Sequence, residues 1–212
     1  MNPTALITSR LRLQPVPSLP ELVLYAAHSG SRLSQLADPD DPDPAPPYWA
    51  YSWGGGLALA HHLAAHPEAV AGRRVLDLGA GSGLVAIAAA KAGAAQVIAS
   101  EIDPFGRAAI PLNAAANTVA ITLRDTDLAA PPPTDIDVLL AGDVFYSAEV
   151  ASLMLPYLTR CQATGITVLI GDPYRKFLPA MLVELARYAV PDMGAAPSAP
   201  FTPAGVFGLS PA

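Results

Sequence analysis

The run Val75-Leu76-Asp77-Leu78-Gly79-Ala80-Gly81-Ser82-Gly83 sets an acid just ahead of three alternate glycines and opens into an apolar helical segment. Glycine tolerates the left-handed backbone of a sharp turn and lets the main chain approach a ligand closely. In open α/β sheets such turns lie at the carboxyl ends of strands, where nucleotides bind. A nucleoside-bearing ligand is the chemistry this spacing suits. A dinucleotide loop of the G-x-G-x-x-G kind requires glycine at position 84, where the chain has Leu84. Asp77 would sit badly beside a pyrophosphate and well beside an amino or sulfonium group such as that of S-adenosyl-L-methionine. Asp77, Gly79, Gly81 and Gly83 are therefore candidate cofactor-binding residues.

A second acid, Glu101, ends the next apolar run in Ser100-Glu101-Ile102-Asp103-Pro104. A carboxylate there can accept hydrogen bonds from both hydroxyls of a ribose, each charge-assisted bond being worth roughly 1.5–3 kcal/mol. A nicotinamide dinucleotide would use such an acid too. Pro104 suits a first helical position, which leaves Asp103 as helix cap and Glu101 for the sugar. Asp125 and Asp127 follow a third apolar run and are candidates for the adenine edge, a solvated loop being the alternative. His62 and His66 share a helical face but lack the acid of an H-E-x-x-H arrangement, so no metal site is expected.

The residues Asp77, Gly79, Gly81, Gly83 and Glu101 resemble the class I, seven-strand methyltransferases that use S-adenosyl-L-methionine. Two further segments narrow the resemblance: Pro47-Tyr48-Trp49-Ala50-Tyr51-Ser52-Trp53-Gly54-Gly55 and Gly142-Asp143-Val144-Phe145-Tyr146. With the glycine loop and Glu101 to Pro104, they look like the lysine methyltransferases acting on the electron-transfer flavoprotein β subunit. Asp143 and Tyr146 match the D-x-x-Y/F motif of that group, and Trp53-Gly54-Gly55 resembles its W-P-G-G segment with Gly54 in place of proline. The likeness runs from about Pro46 to Pro173. It implies S-adenosyl-L-methionine as cofactor and a protein lysine as acceptor, on the flavoprotein β subunit or a ribosomal stalk protein. The chain departs from the family in its Pro/Ala-rich tail with Phe207, which bears on substrate choice.

A free lysine has a pKa near 10.4, so presenting the neutral amine at pH 7 costs on the order of 4–5 kcal/mol unless the site offsets it. Tyr48, Trp49, Tyr51, Trp53, Phe145 and Tyr146 could wall a low-dielectric slot, with Trp53 the one expected to touch cofactor. Asp143, at a strand end, could accept from the entering amine, and Tyr146 could narrow the channel; these two are the candidate catalytic residues, and Asp143 is a candidate cofactor contact as well. Rival readings are an N-methyltransferase of small, nicotinamide-like amines, a cofactor-binding module without catalysis, and a nicotinamide-dependent reductase.

The elements expected to position these residues alternate: strand 73–78, helix 83–92, strand 95–101, helix 104–117, strands 119–123 and 136–142, helix 148–160, strand 165–171 and helix 174–189. That order implies a doubly wound parallel sheet, and the resemblance extends it to a mostly parallel seven-strand, Rossmann-like α/β sheet. Residues 138–141 are continuously apolar and 166–170 are apolar but for Thr167, as strands covered on both faces must be. Residues 190–212 are expected to add one or two short edge strands. Ahead of the domain at 46–212, residues 1–45 are expected to form one or two short helices between Ser18 and Leu36, and then an Asp/Pro linker from Asp38 to Pro47.

The chain has 212 residues, 52% of them hydrophobic and 14% charged, which excludes wholesale disorder. A net charge of −6 offers no broad field for a phosphate backbone, so nucleic acid is not an expected partner. The most apolar stretch, Leu84 to Ala99, is broken by Lys91 and falls short of a membrane span. A single cysteine, Cys161, cannot form an internal disulfide. A cytoplasmic monomer is expected.

Overall fold

A computed structural model describes residues 2–33, 46–191 and 200–209. Its central sheet is built from β3 (Arg74–Leu78), β4 (Gln96–Ser100), β5 (Thr122–Leu123), β6 (Val138–Gly142), β7 (Thr167–Asp172), β8 (Leu182–Val190) and β9 (Thr202–Leu209). The spatial order is β5-β4-β3-β6-β7-β9-β8. All neighbours run parallel except β9, which is antiparallel to both β7 and β8. The order reverses between β3 and β4 on one side and β6 on the other, which puts a ligand-binding crevice at the carboxyl ends of β3 and β6.

The apolar runs do what double coverage requires. On β6, Val138 and Leu140 face the core formed with α2 (Gly54–Ala65) and α3 (Leu84–Lys91), while Leu139 and Ala141 face the core formed with α5 (Ala148–Ala163). Asp103 caps α4 (Pro104–Ala116) as its spacing implied, accepting from Phe105 N at 2.7 Å and Gly106 N at 3.3 Å. Ser147 caps α5 through Val150 N at 3.2 Å. At the opposite end of the sheet, Asp137 binds Arg74 through its main-chain N at 2.9 Å, Nε at 3.0 Å and Nη2 at 2.7 Å, joining the starts of β3 and β6.

Two expectations are corrected. The stretch from Ser18 to Leu36, expected to be helical, holds a strand and then a turn as far as it is described, and residues 34–36 lie outside the described residues. After α1 (Pro3–Arg10) the N-terminal segment forms an antiparallel hairpin, β1 (Arg12–Val16) and β2 (Leu19–Ala26). Leu22 and Leu24 alternate into the domain core, and Asn113 of α4 together with Asn117, the residue that caps the helix end, satisfies the strand edge. Asn117 Oδ1 accepts from Val23 N at 3.0 Å and its Nδ2 donates to Val23 O at 2.6 Å, while Asn113 Oδ1 accepts from Tyr25 N at 2.8 Å. The Asp38–Pro47 linker falls, up to residue 45, outside the described residues.

The second correction concerns residues 174–189, expected as a helix. They hold a turn and then the edge strand β8, while β9 is inserted between β7 and β8 rather than lying at the border. A bulge at Leu185, where the register slips between Glu184 and Ala186, breaks the two-residue alternation that marks a strand.

What brings α2 onto the sheet is an absence of side chains. A methyl group on Gly171 of β7 would overlap the carbonyl of Gly55, one on Gly55 would overlap that of Gly171, and one on Gly142 would come within 3.1 Å of Gly56 Cα. Gly171→Ala is expected to destabilise the protein by about 3 kcal/mol or more, because backbone cannot yield as a side chain does. Urea unfolding measures this, and a loss under about 1 kcal/mol would show that the two backbones do not meet.

Candidate active site

The glycine loop leaves β3 with Gly79 at φ +72°, Gly81 at +55° and Gly83 at +86°, so each holds a conformation that a side chain would strain. Gly79 N and Ala80 N both donate to Ser100 O at the end of β4, at 2.9 and 3.0 Å, which fixes the loop to the neighbouring strand beside the switch point. Gly83 starts α3 in the left-handed region. Beside the loop, Gly79 faces Val144, the residue after Asp143.

Glu101 closes on this loop. Its Oε2 accepts from Gly81 N at 2.6 Å, and its Oε1 accepts from Ile102 N at 2.7 Å and Asp103 N at 2.8 Å. Three main-chain donors orient one carboxylate at the crevice. Gly106, in the first turn of α4, permits this: a Cβ there would lie 2.8 Å from Glu101 Cγ, 3.1 Å from Gly81 O and 3.2 Å from Trp49 Cβ. No local pattern singles out Gly106, whose partners are up to 57 positions away in the chain but contiguous here.

Asp77 sits behind the loop. It is 1% exposed, and its Oδ2 accepts from Ala86 N of α3 at 2.9 Å. Burial raises its carboxyl to about 7, against the pull of the Ala86 N–H and with a further push from Glu101. Its position braces α3 under the glycines. Asn113 braces the loop from the other side, its Nδ2 donating to Ser82 O at 2.8 Å. Asp127 and Asp125 turn to nearby partners: Asp127 Oδ1 accepts from Ala129 N at 2.8 Å, and Asp125 pairs with Arg107 at 2.6 Å.

The expected aromatic slot is smaller than six rings. Trp49 is 3% exposed and stacks on Phe105 at 5.7 Å, and Phe145 is wholly buried in the α5 core. Four rings remain together. Tyr48 stands 5.7 Å from both Trp53 and Tyr146, and Tyr51 stands 6.1 Å from Trp53. Trp53 Nε1 donates to Tyr48 O at 2.7 Å, locking the indole across the strap. Burial, with Tyr48 and Glu101 adding, pushes the Tyr146 phenol above its ordinary value, so it stays protonated as a donor near the crevice.

Asp143, at φ +61°, follows β6 directly. Trp53 at the N-cap of α2 makes no side-chain cap, and Asp143 supplies it from across the sheet. Its Oδ1 accepts from Gly55 N at 3.1 Å and its Oδ2 from Gly56 N at 2.7 Å. Arg175 Nη1 donates to the same Oδ1. Burial pushes the Asp143 carboxyl up, and Arg175 with the two helix N–H groups pulls it back. Sequence reasoning misses both Arg175 and this capping role.

The glycine loop, its ordered carboxylate and the aromatic strap at the switch point of a β5-β4-β3-β6-β7-β9-β8 sheet define a class I methyltransferase fold. The family described as ribosomal protein L11 methyltransferase (PrmA) matches residues 63–164. The chain is similar to the electron transfer flavoprotein beta subunit lysine methyltransferases: it is 43% identical over 153 residues to that of Danio rerio, covering 69% of this chain and 59% of the relative. Over 131 residues it is 40% identical to that of Homo sapiens, covering 61% of this chain and 50% of the relative. It thus spans about half to three fifths of the length of these relatives. Among solved structures, a putative RNA methyltransferase from Pyrococcus horikoshii superposes with a TM-score of 0.56 at 16% identity, over 79% of this chain and 90% of that one. At that identity the likeness concerns the fold.

Asp77 predicts a pH dependence. Its folded pKa lies above the unfolded value near 3.9, so the native state holds its proton more tightly and stability falls as pH rises from about 4 to about 7, then levels. Asp77→Asn keeps an acceptor for Ala86 N and removes this contribution. Urea midpoints of the two proteins should converge at low pH and separate in favour of the variant by about pH 8; parallel curves would show that Asp77 is not the titrating group.

Proposed function

We propose that the chain is a protein-lysine N-methyltransferase dependent on S-adenosyl-L-methionine, and that its substrate is the electron-transfer flavoprotein β subunit. The observation that carries the reading is the Glu101 carboxylate held against Gly81 N at the switch point, which fits a vicinal diol beside a close-approach backbone. The residues present suit the cofactor: Gly79, Gly81 and Gly83 admit it without side-chain obstruction, Glu101 addresses the ribose, and Asp127 is assigned to the adenine end. When bound, S-adenosyl-L-methionine supplies an electrophilic methyl group on sulfur.

The chain's own residues deliver the amine. Tyr48, Trp53 and Tyr146 exclude water from its path, which lowers the cost of the neutral form, and their π-faces attract the cation on approach. An ionised carboxylate has about four lone-pair sites; Gly55 N and Gly56 N take two on Asp143, and the side facing Arg175 is where a target amine can donate. That bond would fix the direction of the nitrogen lone pair. Tyr146, protonated and half exposed, can donate to a second acceptor at the crevice. The relatives' names support the flavoprotein substrate, and the aromatic strap supports an amine acceptor.

Incubating the chain with purified flavoprotein β subunit, a lysate and a panel of small amines, each with methyl-labelled cofactor, tests the reading. Label on a lysine of the β subunit is expected; label on small amines alone would overturn the protein-substrate reading. Glu101→Ala is expected to weaken S-adenosylhomocysteine binding by roughly 1.5–3 kcal/mol in calorimetry with unchanged circular dichroism. Equal affinity would take the ribose role from Glu101. Asp143→Asn is expected to lower turnover on the order of a hundredfold with cofactor affinity kept, and full activity would remove Asp143 from the chemistry.

A further inference from the structure

The turn after β7 places a guanidinium in a seat whose shape suits a different cation. Asp172 is wholly buried; its Oδ1 accepts from Arg175 N at 2.6 Å, and its Oδ2 has no hydrogen-bond partner among the described residues. That oxygen faces Arg175 Nη1 at 3.5 Å, beyond a good ionic hydrogen bond. The same Nη1 is bonded to Asp143, whose side chain is 11% exposed. Arg175 Cζ stands 6.0 Å from the Trp53 ring, within cation–π range. Two carboxylates and an indole thus surround one positive group, and its side chain, 23% exposed, reaches solvent more readily than either acid.

A guanidinium is a planar fork and serves carboxylates best edge-on, whereas an ammonium is a compact charge with three divergent donors. The fork satisfies Asp143 and leaves Asp172 Oδ2 without a bond. A primary ammonium between the two acids could donate to both. Exchanging one cation for another leaves the buried charge unchanged, so displacement avoids the large cost of baring two acids. The Arg175 side chain would move outward from a turn in which Tyr174 already holds φ +63°.

We propose that Asp143, Asp172 and Trp53 form a binding seat for a primary alkylammonium, and that Arg175 occupies this seat as a gate until the ammonium displaces it. The identity of that ammonium as the target lysine rests on the methyltransferase reading. The seat itself rests on the geometry of Asp172, Arg175 and Trp53. Arg175 then governs specificity without touching the bound substrate, and Asp172 recognises the cation directly.

The test is calorimetric titration of the full chain with n-butylammonium chloride, without cofactor. Arg175→Leu opens the seat, and Arg175→Gln opens it while keeping an amide donor for Asp143, so the cap on α2 persists. Both variants are expected to bind n-butylammonium at least about tenfold more tightly than wild type and to gain less for ethylguanidinium, and adding Asp172→Asn is expected to erase the gain. Equal affinity in wild type and both variants, or a gain that survives Asp172→Asn, would overturn the seat. A gain that depends on Asp172 in a protein showing no methyl transfer would support the seat and refute the enzymatic reading instead.

Discussion

The amino end of α2 rests on the tips of β6 and β7 with main chain against main chain, and most of the site depends on that contact. Gly55, Gly56, Gly142 and Gly171 clear the space, and the Asp143 carboxylate then bridges helix and sheet through Gly55 N and Gly56 N. Unpaired N–H groups at a helix start attract negative charge, so the carboxylate is stabilised where a buried acid would otherwise be costly. The same contact sets the height of Trp53 above the sheet and, through the indole, the position of Tyr48. One packing constraint orders the acid, the aromatic wall and the mouth of the crevice.

The cofactor side is ordered by a separate set of interactions. Asp77 braces α3, Asn113 holds Ser82 O, and Glu101 gathers three main-chain donors. Asn113 also receives Tyr25 N from the N-terminal hairpin. A buried amide therefore joins the hairpin to the glycine loop, and the N-terminal segment is part of the site's support rather than an appendage.

Legibility in the sequence follows the range of the interactions. The three glycines and Glu101 lie at neighbouring strand ends and Asp103 caps the helix that starts beside it, so their types and spacing mark them. The brace from Asp77 to Ala86 N, nine positions on, is not visible in the spacing. The Asp143 cap on α2 joins positions 88 and 87 residues apart, and no local pattern signals it. The hairpin is hidden because Pro15, Pro17 and Pro20 disfavour any regular element, while its edge is satisfied by asparagines on a distant helix. The Leu185 bulge conceals β8 by shifting its apolar residues out of step. Trp49 and Phe145 depart from the expected slot because an aromatic type alone does not tell whether a ring faces the crevice or the core.

That same bulge has a bearing on solubility. The outermost strand and the residue ahead of it show Met181, Val183 and Leu185 to solvent at 51%, 47% and 52% of their surfaces, on a chain with few charges. A straight border of that character would template further strands and lead to fibrils. With an extra residue at 185 the spacing of its edge amides and carbonyls is irregular, so a flat incoming strand cannot stay in step along its length. The irregularity that obscures the element also guards the sheet against growth.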